Sequence, residues 1–425
     1  MTRIGIAQVN ITPNAPVWLV GYGDRDHKSE GVYQALRAGA VSIATPTEEL
    51  VIITADLIGY DLAYAAAAKA HIADLTGLLP RQIVLTATHT HCAPFFYPWI
   101  MPGAVEPSYA AFLHQQLIEV VVRARASQVP GTLSFARTSS EFGVNRRLPD
   151  GQGGILFAPN PNGAIDRDLD TFFFQDQQGR PLGSLSIFGC HPTSLGGYLI
   201  GGDYPGYFCR AIEKEIDAPA LFATGCAGNI RPWYGREEGQ FPRPSFPELA
   251  AAGRELAATA LESHSHAAPV DATQLQVADT FHQLPYTELP TIEALQEIRN
   301  DQDPRRRDWA AAMLAITDNG PLATKCPHEI QIVQFNPDLR AVFLGGEVLS
   351  EIGLHLKSVL RPGLTSTVAY ANGLIAYVPG AETYDLGGYE VDGSYHLFLR
   401  PAPFKPTVEE QIVEQTTALM ASFAS

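Results

Sequence analysis

Cysteine is scarce in this 425-residue sequence and unsuited to pairing: Cys92, Cys190, Cys209, Cys226 and Cys326 are odd in number and include no CxxC. A disulfide framework and a zinc ribbon are thereby excluded, and a reducing compartment fits. Cys92 and Cys190 each adjoin a histidine, the neighbour a thiolate nucleophile needs, although a small buried residue is the commoner role. Positive charge is short as well, with 29 Lys and Arg against 45 Asp and Glu and a net charge of −16. Nucleic acid is an unsuitable partner for such a chain, because binding it relies on Lys and Arg neutralising phosphates. The same field repels anionic membrane surfaces. No apolar run is long enough to cross a bilayer. Residues 1–9 (MTRIGIAQV) alternate like a strand and lack the apolar h-region and cleavage site of a signal peptide. These absences predict a soluble, cytoplasmic protein without stable membrane insertion; its oligomeric state is unknown at this stage.

Apolar material is plentiful at 46% of residues, so the chain can bury a large core, and its length alone permits two or three domains. Apolar β-branched runs at 50–54, 83–88, 172–174 and 182–188 predict strands. They alternate with helical patterns at 62–75, 109–126 and 205–216. The fold class predicted is α/β, a mixed sheet layered with helices and a site at strand ends. Gly and Pro, 37 and 32 in number, concentrate in loops at 147–163, 196–202, 232–247 and 379–393, long enough to be functional. Residues 291–316 read as a small two-helix insertion on the surface, with a basic run Arg305, Arg306, Arg307 and an apolar stripe Trp309, Met313, Leu314.

The sharpest chemical signal is TATHTHCAP at 86–94. Residues two apart on a strand face the same way, so His89 and His91 could both hold a metal, or one could hold it while the other moves protons. An ordinary polar strand end reads the same way. The Asp-His that would follow in a metallo-β-lactamase-type HxHxDH site is missing. His191 stands in the same setting, after an apolar strand and before a Gly-rich turn in SIFGCHPTSLGG. Glu347 ends AVFLGGE, where a buried carboxylate calls for a cation; it could equally serve as the N-terminal acid of the helix predicted at 348–360. Two nitrogens and an oxygen from separate strand ends are the ligand type of catalytic zinc, which keeps a position open for water and lowers that water's pKa to roughly 7. The residues by themselves lead to a hydrolase and no further.

Ordered motifs run through nearly the whole chain: ITP at 11–13, GYGDR at 21–25, THTHCAP at 88–94, NR at 145–146, HPT at 191–193, GDYPG at 202–206, GCAGNIRP at 225–232, GGE at 345–347, N-x4-Y at 372–377 and GGYE at 387–390. In these the sequence resembles the catalytic domain of the neutral ceramidases and their bacterial relatives. The resemblance implies one catalytic domain over 1–425, without the C-terminal immunoglobulin-like domain or the secretion signal found among ceramidases. It implies a Zn2+ ion held by His89, His191, Glu347 and Tyr377. Tyr377 rests on the match to Asn372 and the following Tyr-Val alone, with Tyr370 and Tyr384 as competitors among 16 tyrosines. It makes His91 the acid/base residue and puts Arg146 and Tyr389 where they could donate to an oxyanion, with Arg147 beside them. The expected reaction is hydrolysis of a linear amide by zinc-bound hydroxide, on a small N-acyl or lipid-like substrate, ceramide-like or smaller. Hydrolysis of esters, lactones or cyclic amides is one alternative; a zinc-containing ligand-binding protein without catalysis is another. The family's serine in a GDxSP-like motif is replaced in this chain, where GCAGNIRP puts Arg231 in its place. Arg231, Trp233 and Asp203 are the residues expected to bind substrate, and Arg231 with the Trp233–Tyr234 pair suits a smaller or acidic acyl compound.

Overall fold

Side-chain alternation along the strands divides the core in two. In Arg37–Ala44, Ala38 and Ala40 face one side of the sheet and Val41 and Ile43 the other. In Glu49–Ala55, Val51 and Ile53 share a side and Ile52 takes the opposite one. The computed structural model describes residues 1–97, 99–237 and 239–424, and the largest sheet among them has nine strands. From one edge these are Ala220–Thr224, Pro181–Phe188, Asp168–Asp176, Val129–Ser139, Arg3–Asn10, Arg37–Ala44, Glu49–Ala55 and Ile83–Ala87, with Ala268–Val270 beside Val129–Ser139. Pairing is antiparallel in the middle and parallel at both ends, where Ala220–Thr224 joins Pro181–Phe188 and Ile83–Ala87 joins Glu49–Ala55. It is therefore a mixed sheet, as the sequence predicts.

Helices Leu62–Thr76, Pro107–Ala126, Asp203–Ile216 and Phe246–Ser263 cover one face of this sheet, burying Leu113, Leu117, Phe208, Ile212 and Leu256. The other face packs on a second sheet, Gln276–Pro285, Lys325–Asn336, Leu339–Leu344 and Leu364–Val368, through Phe135, Phe172, Phe335 and Phe343. Each of these rings, fully buried, contributes roughly 1.5–3 kcal/mol relative to exposure. The outer face of the second sheet carries helices Ser350–Val359 and Val408–Ala421, which bury Ile352, Leu356 and Ile412 against Ile330 and Ile332. The order of layers is helix, sheet, sheet, helix.

Several boundaries differ from the sequence reading. The stretch 147–163, expected to be loop, contains most of a hairpin, Gly143–Pro149 with Ile155–Asn160, which pairs with Ile230–Pro232. Its polar composition hides it, because its inward residues are arginines. The segment 196–202 holds a two-residue strand, Leu199–Ile200. The 291–316 region does form two helices, Ile292–Ile298 and Pro304–Thr317, yet it is more than a solvated face with one stripe. Leu295, Trp309, Ala310 and Met313 build a small core of their own with Leu322, and the Trp309 indole donates to the Arg400 carbonyl (2.8 Å). Among the described residues no helix is long and apolar enough to cross a membrane.

The large sheet curls until its two edges meet. The Thr224 hydroxyl, at the end of one edge strand, donates to the Thr88 carbonyl just beyond the other (2.7 Å). Isolated bridges Thr86↔Ala371 and Gly225↔Val368 then tie these strand ends to the second sheet. The chain segments after Ala87, Phe188, Leu344 and Val368 are thereby gathered at one place.

Candidate metal centre

The strand Ile83–Ala87 stops short of His89, whose backbone is left-handed (φ 65°). This corrects the expectation that His89 and His91 share a face by strand alternation. The turn brings them together instead, with ring centroids 5.0 Å apart and planes nearly perpendicular. Left-handed backbone at a residue with a Cβ costs roughly 1–3 kcal/mol and is concentrated at functional sites.

Each imidazole in this place is locked from behind. His89 Nδ1 donates to the Ile58 carbonyl (2.5 Å), His191 Nδ1 to Ala227 (2.6 Å) and His91 Nδ1 to Gly21 (3.1 Å). With the proton on Nδ1, a neutral ring presents a bare Nε2 lone pair forward. His91 Nε2 lies 3.4 Å from His89 Nε2, while Glu347 Oε2 lies 3.2 Å from His89 Nε2 and 3.1 Å from His191 Nε2. Burial pushes His191 down to about 4 and holds His91 well below the usual imidazole range, so both rings are neutral near pH 7. Burial acts to raise Glu347, but the adjoining imidazoles of His89 and His191 outweigh it and keep the carboxyl well below its ordinary value. Three ring nitrogens and a carboxylate oxygen thus converge, a donor set that could hold a divalent cation. The ligand atoms of His89, His91 and His191 all lie within 4.8 Å of one another, and all three residues are buried. Imidazole-rich donors suit a transition metal better than calcium or magnesium.

Glu347 begins a two-residue parallel ladder in which Glu347 pairs with Tyr377 and Val348 with Val378. Its expected role as a helix N-terminal acid is corrected: the helix starts at Ser350, and the acid in its first turn is Glu351. The ring of Tyr377 stacks on that of His191 at 6.5 Å and 16°. The Arg146 guanidinium donates to the Tyr377 hydroxyl (3.1 Å) and to Glu390 (2.7 Å). Tyr389 packs edge-on to Tyr377 at 5.4 Å and is 41% exposed, so it stands at the mouth of the site. Tyr370 stacks on His89 at 4.0 Å, its hydroxyl buried without a hydrogen-bond partner among the described residues. Tyr384 lies away from the centre, donating to the Lys405 carbonyl.

The turns that carry the sequence motifs act as scaffolding for these side chains. Asn372 accepts from the Leu85 amide (3.0 Å) and donates to Gln331 (2.7 Å), fastening the 370–377 loop to the strand that precedes His89. In GCAGNIRP, Ala227 and Ile230 offer their carbonyls to His191, and the Asn229 carbonyl accepts from the Arg146 amide (2.8 Å). A methyl group on Gly21 (φ 103°) would lie 2.4 Å from His91 Nδ1, so only glycine admits that ring. Arg147 separates from Arg146 in role: it holds Glu390 and the Thr383 and Gly387 carbonyls, and so anchors the GGYE turn. Glu390 itself went unnoticed in the sequence, although two adjacent buried arginines signal the need for a counter-charge. Tyr22, whose ring lies 5.0 Å from that of His91, was missed too, having only its place in GYGDR to mark it.

Three residues expected to touch substrate stand differently. Arg231 faces an open pocket beside the centre. The Trp233 indole donates to the Glu237 and Gln240 carbonyls and braces that pocket's wall. Asp203 is fully buried, and its carboxylate accepts the amides of Ser194, Leu195 and Tyr204, shaping the loop after His191. All five cysteines are buried and unpaired; burial raises Cys92 to about 12 and Cys190 well above the ordinary thiol value, against any thiolate role.

Layered mixed sheets with a buried, histidine-rich cluster at gathered strand ends define an α/β protein whose candidate site could hold a metal. Residues 3–230 match the family described as neutral/alkaline non-lysosomal ceramidase, N-terminal, and the chain belongs to that family. It is 23% identical over 359 residues to a neutral ceramidase of Mycobacterium tuberculosis, covering 76% of this chain and 54% of that protein. It is 27% identical over 241 residues to neutral ceramidase 2 of Arabidopsis thaliana (50% and 30% covered). With neutral ceramidase B of Dictyostelium discoideum it shares 23% over 249 residues (52% and 33%). The matches thus span about a third to a half of these relatives' length. The crystal structure of neutral ceramidase from Pseudomonas aeruginosa has the same fold, with a TM-score of 0.76 at 21% identity, covering 98% of this chain and 74% of that one.

Proposed function

We propose that this protein is a zinc-dependent hydrolase of linear N-acyl amides, with the metal held by His89, His191, Glu347 and Tyr377. The observation that carries this reading is the convergence of Nε2 lone pairs and a carboxylate oxygen behind which every Nδ1 is fixed on a backbone carbonyl. Tyr377 is supported by its register with Glu347 and by the Arg146 guanidinium that donates to its hydroxyl; burial and the Glu347 carboxylate hold the phenol well above its ordinary value, so a cation is needed to draw off its proton. When bound, the ion would acidify a water and polarise a carbonyl. The chain's own residues supply the rest. Arg146 and Tyr389 donate to the oxygen on which negative charge develops. His91, neutral and with Nε2 free, accepts a proton and returns it to the departing amine. Glu390 holds Arg146 in line through its Nε, and Tyr22 walls the approach to His91. Amide cleavage is favoured by family membership, since the relatives named above are ceramidases. A lipid-like or smaller N-acyl compound is the substrate class proposed, residues 1–425 are read as one catalytic unit, and the unpaired buried cysteines support a reducing, cytoplasmic setting.

The test is a panel of N-acyl amines with matched esters, offered to purified, zinc-loaded protein. Faster turnover of the amides supports the proposal; turnover of esters alone, or of neither, overturns it. A second ligand set, His89, His91 and His191, is favoured by the mutual proximity of their ring nitrogens. Metal content of His91→Ala decides between them: the proposed set retains zinc, the three-histidine set does not.

A further inference from the structure

A pocket of about 770 Å³ opens beside the centre, lined by Tyr22, Asp24, Phe157, Thr193, Arg231 and Phe241. The Arg231 side chain reaches into it from the strand Ile230–Pro232, next to the segment that carries His191. Its Nε and Nη2 donate to Thr193, hydroxyl and carbonyl respectively (3.1 and 2.8 Å), and its guanidinium lies over the rings of Phe241 and Phe157 (4.8 and 5.5 Å). Arg146 lies over the same Phe157 ring at 5.2 Å, so Arg231 and the proposed oxyanion donor are one aromatic ring apart. The other buried arginines near the site are matched by a carboxylate or by several carbonyls. Arg146 and Arg147 share Glu390, and Arg25 holds three carbonyls. Arg231 has no carboxylate within ion-pair distance among the described residues, in a chain of net charge −16. Burial draws its guanidinium below the ordinary value, the mark of a cation desolvated without its counter-ion.

We infer that Arg231 is a specificity-determining residue that binds a carboxylate carried by the substrate a few bonds from the scissile amide. The favoured substrates are then N-acyl amino acids and related N-acyl compounds with one negative charge. Thr193 fixes the guanidinium through Nε and Nη2 and the two phenyl rings flank it, leaving Nη1 to meet a carboxylate oxygen in the pocket. A single charge is indicated over a dianionic phosphate, because the lining carries two arginines, Arg231 and Arg243, against one carboxylate, Asp24, an excess of one positive charge. This assignment rests on the amide-hydrolase reading, and its test keeps the two apart.

N-dodecanoylglycine and N-dodecanoylethanolamine differ at the terminus, carboxylate against alcohol. Equilibrium dialysis with metal-depleted protein measures their affinities free of turnover and of any carboxylate–metal contact; kcat/KM with zinc-loaded protein is measured in parallel. The wild type should bind the glycine compound about 10-fold more tightly, as a desolvated charge pair allows, and in R231M the ratio should fall to about one. A wild-type ratio near one, which needs no variant to fold, overturns the inference, as does a preference that persists in R231M. Selective binding without hydrolysis of either compound upholds the anion site and refutes the amide reading instead.

Discussion

Glu347 and Tyr377 are register partners in a two-stranded parallel ladder, so a proposed carboxylate ligand and a proposed phenol ligand leave adjacent backbones side by side. The Glu347 amide donates to the Ala376 carbonyl (2.8 Å), and Leu349 to Val378 (3.1 Å), which sets that register without any help from the metal. The site is preorganised by main-chain hydrogen bonds, and a bound ion would neutralise what they bring together.

Removing the carboxylate should therefore empty the centre without dismantling it. Glu347→Ala, and separately His89→Ala, should bring zinc below about a tenth of an equivalent and reduce activity by more than the 10–100-fold expected for a supporting residue. Elemental analysis after gel filtration checks this, and full occupancy in either variant would overturn the ligand set.

Asn372 is a structural residue of the site. Its side chain satisfies the Leu85 amide and Gln331 in a fully enclosed position, and its own backbone is left-handed (φ 55°). Asn372→Ala leaves the Leu85 amide and the Gln331 side-chain oxygen unpaired and puts a Cβ-bearing residue with no capping amide into that conformation. The expected loss of unfolding free energy is about 2–5 kcal/mol, measured by urea denaturation of the zinc-loaded protein.

Much of this arrangement was legible beforehand. Apolar runs predict the strands because buried strands must be apolar, and the motif residues fall at their ends as an α/β fold requires. The hairpin Gly143–Pro149 with Ile155–Asn160 was hidden because its inward residue Arg146 is charged and is balanced only from Glu390, far along the chain. The helix–sheet–sheet–helix layering was hidden for another reason. Lys325–Asn336 and Leu339–Leu344 read as strands of either sheet, and only the packing of Phe335 and Phe343 on Phe172 and its neighbours assigns them to a second one. The meeting of His89 with His191 depends on curling of the large sheet until Thr224 reaches Thr88, a property of no local segment.

Glu351 gives the protein a pH-dependent stability of definite sign. Burial, only partly offset by the Asn229 amide (2.9 Å), raises its carboxyl from 4.5 to about 7. The folded state therefore keeps a proton that the unfolded state releases between these two values. Its favourable contribution is complete below 4.5 and is lost as pH rises through 7. The ceiling on that change is roughly 3 kcal/mol. Urea midpoints at pH 5 and pH 8 should differ less in Glu351→Gln than in the wild type, with the variant the more stable of the two at pH 8; an unchanged pH dependence would refute the assignment.

Gly21 supplies the sharpest separation of the two histidine roles. A methyl group there collides with His91 Nδ1 at 2.4 Å and occupies backbone at φ 103°, so Gly21→Ala must displace the imidazole and break its hydrogen bond to the Gly21 carbonyl. His89 and His191 are held on their own carbonyls, Ile58 and Ala227, and keep those hydrogen bonds when His91 moves. If His91 carries protons and His89, His191, Glu347 and Tyr377 carry the metal, the variant keeps its zinc. It then loses about 100-fold or more in kcat, the scale of general acid–base catalysis. Loss of zinc in parallel with activity would instead make His91 a ligand.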